Sequence, residues 1–265
     1  MREALAALLT LGLAGFAAAE PARPALVSLD YCADQFVLAL ADRAQILALS
    51  KDSERSFSHL RAQAAGIPKV RAAAEDVIAL QPDIVVRSYG GDARALALYQ
   101  RFGIRTVQIG YASDVSGAAD LLRSVAAELG AGERAEVILA AQPAARSVTT
   151  AEALYVTPGG VSAGRGTMID AIIAHAGLAN ANTAEGWTSL PLERLVLSPP
   201  ALMLTAFFGF DDDATDQWSV SYHPVMQRLM EEVPVIAMNE ARISCPGWFV
   251  TEEAAAIADA FEAIR

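Results

Sequence analysis

The side chains that could do chemistry in this sequence are few and scattered. Three histidines, His59, His175 and His223, stand too far apart for any two to meet at i, i+2 or i, i+4, and neither an HExxH nor a paired CxxC occurs. No metal site is therefore assigned, and His175, near the end of a predicted helix, suits the negative pole of the helix dipole. No Gly-x-Ser-x-Gly elbow is present for a nucleophilic serine. The glycine-rich stretch 159–166 holds no lysine, so it is not a phosphate loop, and no Gly-x-Gly-x-x-Gly appears. It reads as a strand-to-helix turn with Thr167 capping the helix, and its bare backbone can also approach a ligand closely.

What remains is suited to binding. Tyr31, Tyr89, Tyr111, Trp187, Phe207, Phe208, Phe210, Trp218 and Trp248 fall in segments predicted to follow strands. In open α/β sheets ligands bind outside the carboxyl ends of the strands, where aromatic rings can line an amphipathic pocket. As a group they favour a planar or bulky ligand. Arg87, Arg165 and Arg242 lie in the same kind of loop and could pair with ligand carboxylates or phosphate. The two cysteines, Cys32 and Cys245, allow three readings: one disulfide, two unrelated buried thiols, or two soft ligands facing a bound metal complex.

These residues need elements to position them. The chain has 265 residues, enough for a substantial core without a metal or disulfide staple. Its formal charge of −11 argues against a nucleic-acid partner, which would call for a basic face. With 19% charged and 54% hydrophobic residues it is not a disordered chain. Part of that apolar content belongs to the N-terminus. Residues 4–16 form an uncharged run behind Arg2, followed by Ala17, Ala18 and Ala19. This is the pattern of an export signal, expected to be cleaved after Ala19, and the run is short for a membrane span of ~20 residues. Loss of Arg2 and Glu3 together leaves the charge unchanged.

Beyond the signal, apolar strands are expected at 25–29, 46–49, 84–86 and 106–109, separated by helices at 33–41, 75–80 and 93–102. Residues 115–129 give the clearest helix, ended by Gly130, and a helical segment continues over 133–141 until Pro143. Strand and helix alternation restarts at 154–156 and runs through 167–176, 202–205, 223–230 and 235–238 to a last helix at 252–264. Alternation of this kind predicts parallel sheets wrapped by helices. A weak repeat supports two similar lobes: residues 75–86 and, 118 positions later, 193–204 each start with Glu and continue through a helix and a Pro into an apolar strand.

The order of these units resembles periplasmic binding proteins for iron siderophores, haem and cobalamin. Residues 23–35 with 38–41, the unit 75–85, Gly177-Leu178-Ala179-Asn180, and Trp187 followed by Pro191-Leu192-Glu193 carry the likeness, which covers essentially the whole mature chain. The resemblance implies two Rossmann-like α/β lobes with mostly parallel sheets, at 24–113 and 151–265, joined through 114–150 by one long helix. Pro143 lies in that connection, where a helix-interior proline would cost ~3 kcal/mol. The resemblance also implies a non-enzymatic, monomeric receptor in the periplasm that holds an iron- or cobalt-containing chelate between its lobes, needs no intrinsic cofactor, and passes the chelate to the dimeric permease of an ABC importer in the inner membrane. By position, Glu75 and Glu193 would dock onto permease arginines, and Trp187 and Tyr89 would line the cleft. Cys32 and Cys245 would stand at the cleft, pinning the lobes if joined and facing the ligand if reduced. Haem would take an axial Tyr31, Tyr89 or His59, a siderophore the arginines, cobalamin the flat aromatic walls. Two rivals are a zinc- or manganese-ion receptor on a related fold and an exported α/β hydrolase.

Overall fold

The structure, a computed structural model, describes residues 23–190, 192–207 and 223–265. The expected signal at 1–19, together with Phe208, Phe210 and Trp218, lies outside the described residues. The first apolar runs become a five-stranded sheet: β1 (Leu26–Ser28), β2 (Ile46–Ser50), β3 (Lys69–Val70), β4 (Ile84–Arg87) and β5 (Arg105–Gln108). Their order is β3-β2-β1-β4-β5, and every pairing is parallel. The central strands are buried on both faces, which is why they read as unbroken apolar runs. Leu26, Ile84 and Val86 pack toward Phe36 of helix α1 (Tyr31–Leu40). Val27 and Val85 pack the other way, against Val77 of α2 (Ala74–Ala79) and Tyr99 of α3 (Ala93–Arg101).

The connection between lobes is made of two helices, not the single long one that the resemblance implied. Asp114 caps α4 (Val115–Leu129) by accepting from the Gly117 N–H at 2.7 Å. Gly130 ends it in the left-handed region, at φ 70°, and the Ala131 N–H closes back on the Ala126 carbonyl at 2.8 Å. Helix α5 (Gly132–Ala140) then turns away. The break is at Gly130, whose positive φ no helix interior takes. Pro143 follows the end of α5 and interrupts nothing; its carbonyl accepts from His175 Nε2 at 3.1 Å.

The second sheet holds β6 (Glu152–Val156), β8 (Ala179–Asn180), β10 (Leu202–Thr205) and β11 (Val235–Ala237), in the parallel order β11-β10-β6-β8. Between β6 and β10 the chain also forms an antiparallel pair, β7 (Val161–Ala163) with β9 (Trp187–Ser189). Helices α6 (Met168–His175), α7 (Leu192–Leu197), α8 (Pro224–Glu232), α9 (Glu240–Ile243) and α10 (Val250–Ile264) complete the lobe. Thr167 caps α6 as the sequence suggested, accepting from the Asp170 N–H at 3.2 Å. The repeat is architectural: α2 leads into β4 beside β1, and α7 leads into β10 beside β6.

One segment belongs to both lobes. Cys245, Trp248 and Phe249 precede α10 yet lie in the core of the first lobe with Phe36 and Leu122. Cys32 of α1 and Cys245 form a disulfide, their Cα atoms 5.7 Å apart. No helix among the described residues is long and apolar enough to cross a membrane.

Candidate ligand-binding site

The carboxyl ends of the strands supply the site. Tyr31 starts α1 three residues beyond β1, and Tyr89 lies two beyond β4. One buried carboxylate sets both. Asp30 accepts the Ala33 N–H at 2.9 Å, capping α1, and also the N–H groups of Ser88, Tyr89 and Gly90 at 2.8, 3.0 and 2.9 Å. Gly90 lets this turn close on the end of β1, because a Cβ there would stand 2.6 Å from the Leu29 carbonyl oxygen. The Tyr31 and Tyr89 rings meet edge to face at 6.0 Å.

A cavity of roughly 500 Å³ opens between the sheets, within the ~300–1,000 Å³ usual for small-molecule sites. Tyr31, Phe57, Tyr111 and Ala112 form its first-lobe wall; Tyr155, Met168, Ile169, Trp187 and Phe207 form the opposite wall. Ile243, Ser244 and Pro246 close the floor. Tyr31 stacks edge-on against Phe57 at 4.8 Å and donates its hydroxyl to the Ser244 carbonyl at 2.9 Å, directly beside the Cys32–Cys245 link. Across the cavity Trp187 meets Tyr155 edge-on at 6.0 Å. Trp187 and Tyr111 remain 55% and 76% exposed, large apolar surfaces awaiting cover.

The lining among the described residues carries no Asp, Glu, His, Lys or Arg. Two of its phenols are shifted by their surroundings. Burial, then Asp30 and Asp52, raises the Tyr31 hydroxyl above its usual range. Burial, with Glu240 adding, pushes Tyr155 up to about 12. Burial and then Asp30 likewise raise Tyr89 at the rim. Such a pocket can stack on, enclose and hydrogen-bond a ligand, and its described lining presents no carboxylate, imidazole or amine to move protons.

The residues expected at the site divide. Tyr31, Tyr111 and Trp187 line the cavity, and Tyr89 stands beside Tyr31 at its rim. Cys32 is taken up in the disulfide and is 7% exposed, so it presents no thiol to a ligand. The three arginines do not line the cavity. Strand alternation turns Arg87 with Val85 toward Tyr99. Arg165 pairs its backbone with Glu185 beyond β7. Arg242 binds Glu252 and Glu253, each at 3.5 Å. Trp248 is buried in the core, edge-on to Phe36 at 5.4 Å. His59 stacks on Phe249 at 4.2 Å, where burial, then Arg242 and Arg61, push its pKa down to about 4. At neutral pH it is therefore uncharged, and its 3.7 Å approach to Glu252 is not an ion pair.

Phe57, Tyr155, Met168 and Ile169 were missed. Phe57 gave the one usable signal, the single Phe, Tyr or Trp in the polar stretch 52–63. Glu75 and Glu193 are both exposed in the first turns of α2 and α7, the two helices at matching positions in the lobes.

No protein-family model matches the chain, and no curated protein sequence does. Solved structures do match. A periplasmic heme binding protein from Pseudomonas aeruginosa is 22% identical with a TM-score of 0.64, over 90% of this chain and 92% of that one. Periplasmic heme binding protein HutB of Vibrio cholerae is 19% identical with a TM-score of 0.67, over 89% and 98%. Periplasmic vitamin B12 binding protein BtuF of Vibrio cholerae is 14% identical with a TM-score of 0.58, over 90% and 96%. At these identities the likeness is one of fold: the chain has the two-lobed α/β fold of periplasmic substrate-binding proteins.

Proposed function

We propose that this protein is an exported, non-enzymatic receptor that encloses a flat tetrapyrrole metal chelate between its lobes and delivers it to an ABC importer. The observation that carries this reading is the composition of the cavity wall: aromatic and aliphatic on both sides, with no charged side chain among the described lining residues. A flat macrocycle fits opposed rings such as Tyr111 and Trp187 by offset stacking. A ferric siderophore held through its acids would want the arginines in the cavity, and Arg87, Arg165 and Arg242 are not among its described lining residues. The structural likeness to heme and vitamin B12 binding proteins supports the same class of cargo.

Both rivals lose support. A zinc or manganese receptor needs converging ligands, and no group of three or more His, Cys, Asp and Glu side chains gathers among the described residues. A hydrolase needs an acid–base pair in its pocket, and the described lining offers no carboxylate or imidazole. Delivery is read from Glu75 and Glu193, which as exposed carboxylates on equivalent helices suit a two-fold basic partner and a monomeric receptor. Export is read from residues 1–19.

Titration with haemin, cobalamin and several ferric siderophores, followed by tryptophan quenching and thermal shift, tests the reading. A cognate tetrapyrrole at 100 times its Kd adds about 2.7 kcal/mol of apparent stability. Binding of a siderophore with no response to either tetrapyrrole would sink it.

A further inference from the structure

We infer that the second lobe holds a further binding site, apart from the cavity between the lobes, which takes a short primary amine with an oxygen acceptor at its far end, of the ethanolamine kind. It stands on the other face of β6 from the cavity and is independent of the tetrapyrrole reading.

A pocket of about 100 Å³ lies between β6, β7, the turn after β8 and the end of α7. It has room for several waters at about 30 Å³ each, or for one molecule of a few non-hydrogen atoms. Strand alternation fixes which side chains enter it. Tyr155 faces the cavity between the lobes and Ala153 packs in the same core, whereas Leu154 packs on the other face with Leu195, and both leucines line the pocket. Glu152, two positions before Leu154 on β6, shares that face and is exposed at the mouth. Ser162 lies opposite Thr188 in the β7–β9 pair, so the two side chains project to one side, while Ala163 turns to the opposite core. The Thr188 hydroxyl accepts from the Asn182 amide at 2.8 Å, and Asn182 lines the pocket, which places the Ser162 hydroxyl inside it.

The two ends of the pocket call for one kind of ligand. Ser162 is fully buried, and its Oγ has no hydrogen-bond partner among the described residues, a cost that a native fold rarely carries without an occupant. Its hydroxyl asks for an acceptor at the inner end. At the mouth, Glu152 forms no ion pair with any described cation. No Lys, Arg or His is among the described lining residues, so an anion finds no partner there and meets the Glu152 charge. Leu154, Leu195 and Pro200 give apolar walls between the ends. A short carbon chain with its ammonium toward Glu152 and its hydroxyl oxygen toward Ser162 meets every one of these demands.

The test uses the whole mature protein as wild type, Ser162→Ala and Glu152→Gln. Each is titrated at neutral pH with ethanolamine, with ethylamine, which lacks the hydroxyl, and with ethylene glycol, which lacks the charge, by calorimetry and thermal shift at low and high salt. Wild type should bind ethanolamine about ten-fold more tightly than either of the others. Ser162→Ala should bring ethanolamine down to the level of ethylamine and leave ethylamine itself unchanged. Glu152→Gln should bring it down to the level of ethylene glycol and abolish its salt dependence. Both variants should respond to haemin as wild type does, which separates this site from the cavity between the lobes. A wild type that does not respond to ethanolamine, leaving the pocket to ordered water alone, overturns the inference. Equal loss for all three probes in either variant, or no loss in either, overturns it too.

Discussion

Removing the Cys32–Cys245 link should cost a large share of this protein's stability. The cysteines are 213 residues apart in sequence, so the bond closes nearly the whole described chain into one loop. In the chain-entropy relation a loop of that length corresponds to about 5 kcal/mol taken from the unfolded state. At ~2–4 °C per kcal/mol for a chain of this size, that is a fall of roughly 10–20 °C in the unfolding midpoint. The folded state should change little. Trp248 and Phe249 remain buried in the first-lobe core, and Tyr31 keeps its bond to the Ser244 carbonyl. The assay is calorimetry of Cys32→Ala/Cys245→Ala beside the oxidised and the fully reduced wild type. The reduced wild type should melt close to the double variant. A double variant within about 3 °C of the oxidised protein would refute the reasoning. The link also stands behind Tyr31 on the cavity wall and Ser244 and Pro246 on its floor, so its loss should quicken ligand release more than it slows capture.

Other perturbations separate further parts of the argument. His59, depressed to about 4, is neutral in the fold and protonated when unfolded below pH 6.5, so it adds stability as pH rises from 4 to 6.5. Asp34, raised to about 6 chiefly by burial, keeps its proton in the fold while the unfolded chain has lost it, so it removes stability over about the same window. The two slopes oppose each other: in chemical denaturation across that range His59→Gln should leave stability falling with pH, and Asp34→Asn should leave it rising, the reverse signs counting against both assignments. Trp187→Ala should weaken tetrapyrrole binding at least ten-fold, about 1.4 kcal/mol, while shifting the melting point little because the ring is 55% exposed, and unchanged affinity in a quenching titration would remove Trp187 from the site. Glu75→Arg with Glu193→Arg should abolish uptake in cells and leave ligand affinity intact, and normal uptake by the double variant would dismiss the docking role.

Much of the fold was legible because its signals are local. The buried strands at 84–86 and 202–205 are apolar runs preceded by Pro, and Gly130 ends α4 where the sequence placed its end. The repeat of 75–86 in 193–204 was legible because the same helix-to-strand unit must fill the same place beside a central strand in each sheet. The failures are non-local. Residues 159–166 look like a turn, yet β7 lies among them because Trp187, Thr188 and Ser189 come back to pair with it. The arginines carried the right charge for a ligand, but strand alternation turned Arg87 away and α10 brought carboxylates to Arg242. Whether Cys32 and Cys245 could join depended on a Cα separation that no spacing encodes.

The site's stiffness follows from where the lobes are tied. The 244–249 segment reaches from the second lobe into the first-lobe core beneath the cavity, and the disulfide pins it there. A second tie runs through α4, whose Leu122 and Val125 pack in the first-lobe core while Val115 packs against the core of the second. The bond of Thr251 to Gln142 at 2.8 Å adds α10 to the segment after α5. With the floor held by covalent and packed contacts, separation of the lobes has to be greatest at the opposite side, where Trp187 and Tyr111 are exposed. Such a clamp cannot gain much affinity by closing. Its selectivity must come from walls already in place, which is why a flat, rigid ligand suits it better than a flexible one that the cleft would have to fold around.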